Sequence, residues 1–334
     1  MSMISRPFGR PGGAKHFFWS ILLVACGLPL QGFAQAYPVR PVTIVVGFAA
    51  GGGADVVSRL LAEGLSPILG VPVIVENRPG AGGTIGGEYV ARSTPDGYTL
   101  LVGGLGPNAT AHSLYPSIKY DTLKDFAHIT LISENANALA LHPSVPAKTI
   151  GELVALARKR PGAISFGSAG NGSAQHMAGE LFKRQTRTDL LHVPFKGVAA
   201  GVTDLLAGRI EMMFIPASDA ARFSETGKLR VLGVTTRTRS PALPKTPPMA
   251  EAGLPGYEQT VWNALLAPAR TPDKILETLY AGTVKAVGSP ALRARFEGLG
   301  YTPRTTAPGE LSGYLKSEIA KYRTLIQEAG IRLD

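Results

Sequence analysis

Cysteine is almost absent from this chain. Its single cysteine, Cys26, lies close to the amino terminus, so residues beyond it can form no disulfide, thiol nucleophile or cysteine-based zinc site. No acidic residue precedes Asp55, and no run of five or more Lys or Arg occurs, although the formal net charge is +10. Without clustered charge and interleaved aromatics the sequence predicts no nucleic-acid partner. Diffuse positive charge suits weak steering of an anion, and equally an ordinary solvated surface. Long apolar runs are also missing: Phe17–Leu30 is broken by Gly27 and Pro29 and falls short of the roughly 20 residues of a spanning helix.

The usual catalytic and cofactor signatures are missing as well. After Gly51 and Gly53 the third position of a G-x-G-x-x-G fingerprint is Val56, and after Gly170 and Gly172 it is Gln175; no dinucleotide fingerprint is present. There is no Walker-type phosphate loop. Phe166-Gly167-Ser168-Ala169-Gly170 has its first glycine one place too late for a nucleophile elbow. His112, His128, His142, His176 and His192 share no metal-ligand spacing, and His176 with Glu180 lacks the second histidine of a zincin. The expectation is no metal, no cofactor and no catalytic residue.

What is present starts with a leader. Arg6, Arg10 and Lys15 precede the apolar run, which ends at Ala34-Gln35-Ala36. A basic segment, an apolar segment and an A-x-A site predict a signal peptide over residues 1–36, cleaved before Tyr37, and export to the periplasm. Leu23-Val24-Ala25-Cys26 resembles a lipoprotein lipobox, but the apolar segment ahead of it is short and the later A-x-A site would go unused. Lipid anchoring through Cys26 is therefore the secondary expectation.

Beyond Pro41 short apolar runs alternate with amphipathic stretches. Val42–Phe48, Val71–Glu76, Tyr98–Val102, Ile164–Gly167, Leu190–Phe195, Ile210–Ile215 and Leu229–Thr235 read as strands covered on both faces. Val57, Leu61, Leu65 and Leu69 mark one helix, and Leu311, Leu315 and Ile319 another. Thr149-Ile150-Gly151-Glu152 reads as a capping box, and Thr271-Pro272-Asp273 as a helix start with proline at its first position. The alternation predicts an α/β protein with mainly parallel sheets.

Two turns of similar build carry the functional reading. Val42–Phe48 runs into Ala49-Ala50-Gly51-Gly52-Gly53-Ala54-Asp55, and Ile164–Gly167 into Ser168-Ala169-Gly170-Asn171-Gly172-Ser173; a helix follows each. The first turn of a helix leaves N–H groups without internal partners, and the aligned peptide dipoles place partial positive charge there. Glycine lets that backbone approach an anion closely. One such turn can simply pack a helix on a sheet; two suggest a main-chain anion site. Asp55 is read as a first-turn acid serving its own helix. His176 is a candidate ligand donor or, equally, a capping or packing residue. The cluster Gly80–Gly87 is read as structural.

The chain resembles the substrate-binding receptors of tripartite tricarboxylate transporters, often called Bug receptors. The resemblance runs from Ala34–Pro41 through Val45–Gly52, Asp55 and Arg59, then Glu76–Gly83, Pro95–Leu100, Gly167–Ser168, Gly172–Ser173 and His176, and on to His192–Gly197, Asp204–Gly208, Glu251–Tyr257 and Trp262. It implies a two-lobed periplasmic-binding-protein fold, type II-like, with a ligand cleft between lobes. Lobe one would hold residues 37–139 and 261–334, and lobe two residues 140–260. It implies a monomeric, non-enzymatic receptor for a small mono- or dicarboxylate that serves membrane transporter subunits or a sensor. Carried over residue by residue, the ligand contacts are Phe48, Ala49, Gly51 and Gly52 in lobe one, and Ser168, Ala169, Gly172, Ser173 and His176 in lobe two. Phe195, Lys196 and Trp262 are expected as walls. The family usually has proline where Gly47 and Ala50 stand, which predicts a looser first turn here. The competing expectation is an exported enzyme acting on a small organic acid.

Overall fold

The computed structural model describes residues 37–331; the leader, its cleavage site and Cys26 lie outside them. The chain forms, in order, β1 (Val42–Val46), α1 (Gly53–Leu69), β2 (Val73–Asn77), α2 (Thr84–Ala91), β3 (Thr99–Gly104), α3 (Ala111–Leu114), β4 (Phe126–Leu141), α4 (Ile150–Lys159) and β5 (Ser165–Ser168). There follow α5 (Ala174–Thr186), β6 (Leu191–Pro194), α6 (Val198–Leu206), β7 (Met212–Pro216), α7 (Ala217–Glu225) and β8 (Arg230–Val234). The last stretch is β9 (Thr260–Pro268), α8 (Asp273–Gly288), α9 (Pro290–Gly298), β10 (Thr302–Pro303) and α10 (Pro308–Glu328).

The hydrogen-bonded strand order is β2-β1-β3-β9-β4-β7-β5-β6, with β8 and β10 also on β4. Two sheets share β4. Its first part pairs antiparallel with β9 and β10, and from Asn137 onward it pairs with β7 and β8. Parallel pairing is confined to β2-β1-β3 in one sheet and β6-β5-β7 in the other. All seven expected strands form. The long antiparallel strands β4 and β9 are additional, so the sheets are mixed rather than mainly parallel. Ser133, Glu134, Asn135 and Asn137 interrupt the apolar pattern of β4 where it passes from one sheet to the other.

Apolar packing follows this division. Val45, Leu101, Leu266, Leu315 and Tyr322 centre one core. The second sheet is covered on both faces, by Leu139, Phe166, Phe182 and Phe214 on one side and by Ala138, Val202, Leu205 and Met213 on the other. Ala174 and Met177 of α5 join the first core, so this helix packs against both halves. A Cβ on Gly179 would sit 2.2 Å from the Phe166 ring; glycine there lets α5 lie flat on β5.

Two caps differ in detail from expectation. Thr149 Oγ1 accepts from the Glu152 N–H, but the Glu152 carboxylate accepts from Lys148 rather than from Thr149. Pro272 occupies the cap position of α8, not its first turn, and the Thr271 hydroxyl donates to the Pro268 carbonyl. Among the described residues no helix is long and apolar enough to cross a membrane, and no group of three or more His, Asp or Glu is placed to hold a metal ion.

Candidate functional site

Both glycine turns end at a helix start, one leading into α1 and the other into α5. A Cβ built on Gly106 would lie 3.4 Å from Phe48 Cζ on the first turn and 3.9 Å from the Gly172 carbonyl oxygen on the second. The buried Thr110 hydroxyl reaches the Gly172 carbonyl at 2.8 Å. The segment Gly106–Thr110, a π-helical turn, is thus wedged between the two turns and brings them to one place.

A third partner is the cluster expected to be merely structural. A Cβ on Gly82 would sit 3.4 Å from the Asn171 carbonyl, and one on Gly83 would sit 3.2 Å from Phe48 Cζ. Gly47 is pinned against this cluster: its Cβ would lie 2.5 Å from the Gly83 carbonyl oxygen. The expected looseness at Gly47 is therefore corrected. Glycine there permits a backbone-to-backbone contact that a side chain would prevent, and the contact holds the turn.

Polar clamps fix both turns from behind. Asp55 is 3% exposed. Its Oδ2 accepts from the Gly51 N–H and Arg59 Nε, and its Oδ1 from Asn77 Nδ2, which also donates to the Phe48 carbonyl. Burial alone would raise the Asp55 pKa, but the hydrogen bonds from Arg59, Gly51 and Asn77 outweigh it and hold the carboxyl below its ordinary value. In the second turn Ser173 Oγ accepts from the His176 N–H, capping α5, and His176 Nδ1 accepts from the Gly172 N–H. The His176 ring stacks on His192 with centroids 3.9 Å apart. Ser168 Oγ lies 2.7 Å from His192 Nε2. Burial, His192 and Lys183 push His176 down to about 3; burial and Lys183 push His192 down to about 4. Both imidazoles are neutral near pH 7. With Nδ1 accepting, the proton of His176 sits on Nε2, 3.8 Å from Glu180 Oε1.

These clamps redistribute the expected ligand donors. The N–H groups of Gly51 and Gly172 are spent on Asp55 and His176, the Gly172 carbonyl faces Thr110, and Ser168 is fully buried with its hydroxyl engaged. His176 Nδ1 therefore clamps the second turn from behind. Among the described residues of the two turns, the N–H groups without a protein acceptor are those of Ala49, Ala50, Gly53, Ala54 and Asp55 on the first, and Ala169, Asn171, Ala174 and Gln175 on the second. Both helix starts contribute to this set.

The three expected walls fare differently. Trp262 is 0% exposed and donates its indole N–H to Glu318, which makes it a core residue instead of a wall. The Phe195 ring packs behind the second turn against Gly167 and Gly201, beside Met213. Lys196 is exposed just beyond the end of the second sheet's edge strand β6. Away from the turns a cavity of about 420 Å³ is lined by Glu134, Glu258, Glu318, Arg304, Lys321 and Tyr314. Its two cations already pair with its own carboxylates, so it offers an anion little.

The family profile described as "Tripartite tricarboxylate transporter family receptor" matches residues 57–331. Protein BugT of Bordetella pertussis is 34% identical over 94% of this chain and 96% of its own length. Among solved structures, an R. palustris protein determined with adipate is 34% identical, with a TM-score of 0.84 over 89% of this chain and 100% of its own. MatC from Rhodopseudomonas palustris with bound malate is 32% identical, with a TM-score of 0.80 over 87% of this chain and 100% of its own.

Proposed function

The chain belongs to the tripartite tricarboxylate transporter receptor family, and from that premise we propose that it captures a small mono- or dicarboxylate by closing two lobes around it, then offers it to a membrane transporter or sensor. The observation that carries this reading is the set of unpartnered N–H groups on two glycine turns, each at a helix start and both touching Gly106–Thr110. In the proposed complex one carboxylate accepts from residues 49–54 and 169–175, directly or through water. Phe48, Ala49 and Ala169 are the proposed ligand-facing residues, while the N–H groups of Gly52 and Ser173 close their own turns on Ala49 and Gly170. Gly51, Gly172, Ser168 and His176 hold the turns in shape.

The proposed lobes are residues 37–139 with 261–334, and residues 140–260. Support comes from the change of partners in β4 at Asn137 and the return of the chain through β9 at Thr260. Closure requires that the ligand favour the closed state by its differential contacts. The proposed compartment is the periplasm, reached through the leader. No turnover is proposed: Ser168 is buried, and among the described residues no carboxylate hydrogen-bonds to its neighbour His192.

Thermal denaturation of residues 37–334 against a panel of acids tests this reading. The panel contains acetate, succinate, malate and adipate with the corresponding neutral amides. A ligand at about a hundred times its Kd adds roughly 2.7 kcal/mol of stability, so at least one acid should raise Tm by several degrees while its amide does not. A panel without any shift, or conversion of a bound acid followed by NMR, would overturn the receptor reading.

A further inference from the structure

Thr110 occupies an unusual position. It lies 0% exposed at the end of the π-helical turn between β3 and α3, a conformation that concentrates at functional sites. Its Oγ1 is 3.0 Å from the carbonyl oxygen of Gly106, four residues back, and 2.8 Å from that of Gly172 across the junction. A hydroxyl has one proton to donate, so the two carbonyls compete for it. Gly172 has φ +77, and a Cβ there would stand 2.8 Å from Leu114 and 3.2 Å from Thr110 Oγ1. Only glycine presents that carbonyl at that distance. The same residue's N–H is held by His176 Nδ1. The second turn is therefore gripped from its own side by an imidazole and from the opposite side by one hydroxyl.

We propose that Thr110 is a positioning residue for ligand capture: its proton passes from the Gly106 carbonyl to the Gly172 carbonyl as the two turns come together, fixing the second turn's amides on the carboxylate. The inference rests on the capture reading above and adds the residue that couples closure to the site. With the lobes apart, Thr110 donates back to Gly106, as buried helix threonines commonly do, so opening leaves no orphaned hydroxyl. With the lobes together, the bond to Gly172 is buried. The Gly106 carbonyl keeps the Ala111 N–H as a donor, so without the Thr110 hydroxyl it is the Gly172 carbonyl that is orphaned, and only when buried in the closed state. The effect belongs to the rate of release, since the bond must break before the ligand leaves.

The test uses residues 37–334 with Thr110→Val, which keeps the shape and removes the proton, and Thr110→Ser, which keeps the proton. Small-angle scattering measures the radius of gyration with and without saturating succinate or adipate, and stopped-flow measures dissociation. The expected result for Thr110→Val is affinity lower by about tenfold, carried by faster dissociation, with a larger radius of gyration both with and without ligand; Thr110→Ser restores wild-type behaviour. Unchanged affinity and radius in Thr110→Val would overturn the proposal. So would a loss of apo Tm that Thr110→Ser does not rescue, which would mark the residue as structural. If the wild-type chain bound neither acid, the capture reading would fail by itself. The apo scattering would then decide, with equal radii for wild type and Thr110→Val counting against the latch.

Discussion

Asp55 and the stacked pair His176 and His192 show how single residues hold the site. Asp55 reads from the sequence as a first-turn acid, and its observed partners are the first turn's own backbone, Arg59 and Asn77. Truncation leaves the Gly51 N–H and the Asn77 amide without their acceptor, so Asp55→Ala should cost about 2–3 kcal/mol, read by urea denaturation, with ligand affinity falling alongside. Because the folded carboxyl is held below its ordinary value, this stabilisation is present above pH 3.8 and is lost as pH falls through the folded value. The histidines have the opposite charge sign but the same direction of loss. Folded His192 resists protonation down to about pH 4 while the unfolded chain takes a proton near 6.5, so stability falls as pH drops across that window. His192→Gln should flatten this part of the stability–pH curve. A curve identical to wild type would show that His192 titrates normally in the folded protein.

Among the elements, those with a plain periodic or punctuating signal were legible and those set by long-range contact were not. The seven apolar strands and both glycine turns were legible because strand runs and glycine-rich helix starts are local features. β4 was not, because Ser133, Glu134, Asn135 and Asn137 sit where it changes sheets and break both the alternating and the continuous apolar pattern. The site was half legible. Position along the chain marked the two turns, but which amides remain free depends on Asp55 and His176 reaching back four residues, and the docking of Gly80–Gly83 depends on distant backbone. Trp262, expected as a wall from the resemblance alone, is fully buried, and its N–H is taken by Glu318 on α10, a partner that only long-range packing reveals. The contact between Gly47 and Gly83 gives an element-scale prediction. Gly47→Ala would push the turn and the cluster apart, lowering both Tm and ligand affinity. Retention of both would mean that this contact does not hold the first turn.

At the scale of the whole molecule, a shared strand and a shared helix connect two α/β halves, and in the proposed complex the charge that meets the ligand is main-chain rather than ionic. Scattered Lys and Arg contribute a diffuse field; the contact itself is expected to be amide to carboxylate, so affinity should depend only weakly on salt relative to a site built from exposed ion pairs. The most direct measurement is a crystal structure of residues 37–334 with the acid that gives the largest thermal shift. The account predicts a single carboxylate bound, directly or through one water layer, by N–H groups from both 49–54 and 169–175. An acid bound instead among Arg304, Lys321 and Glu318, or held by one turn with the other facing away, would contradict it.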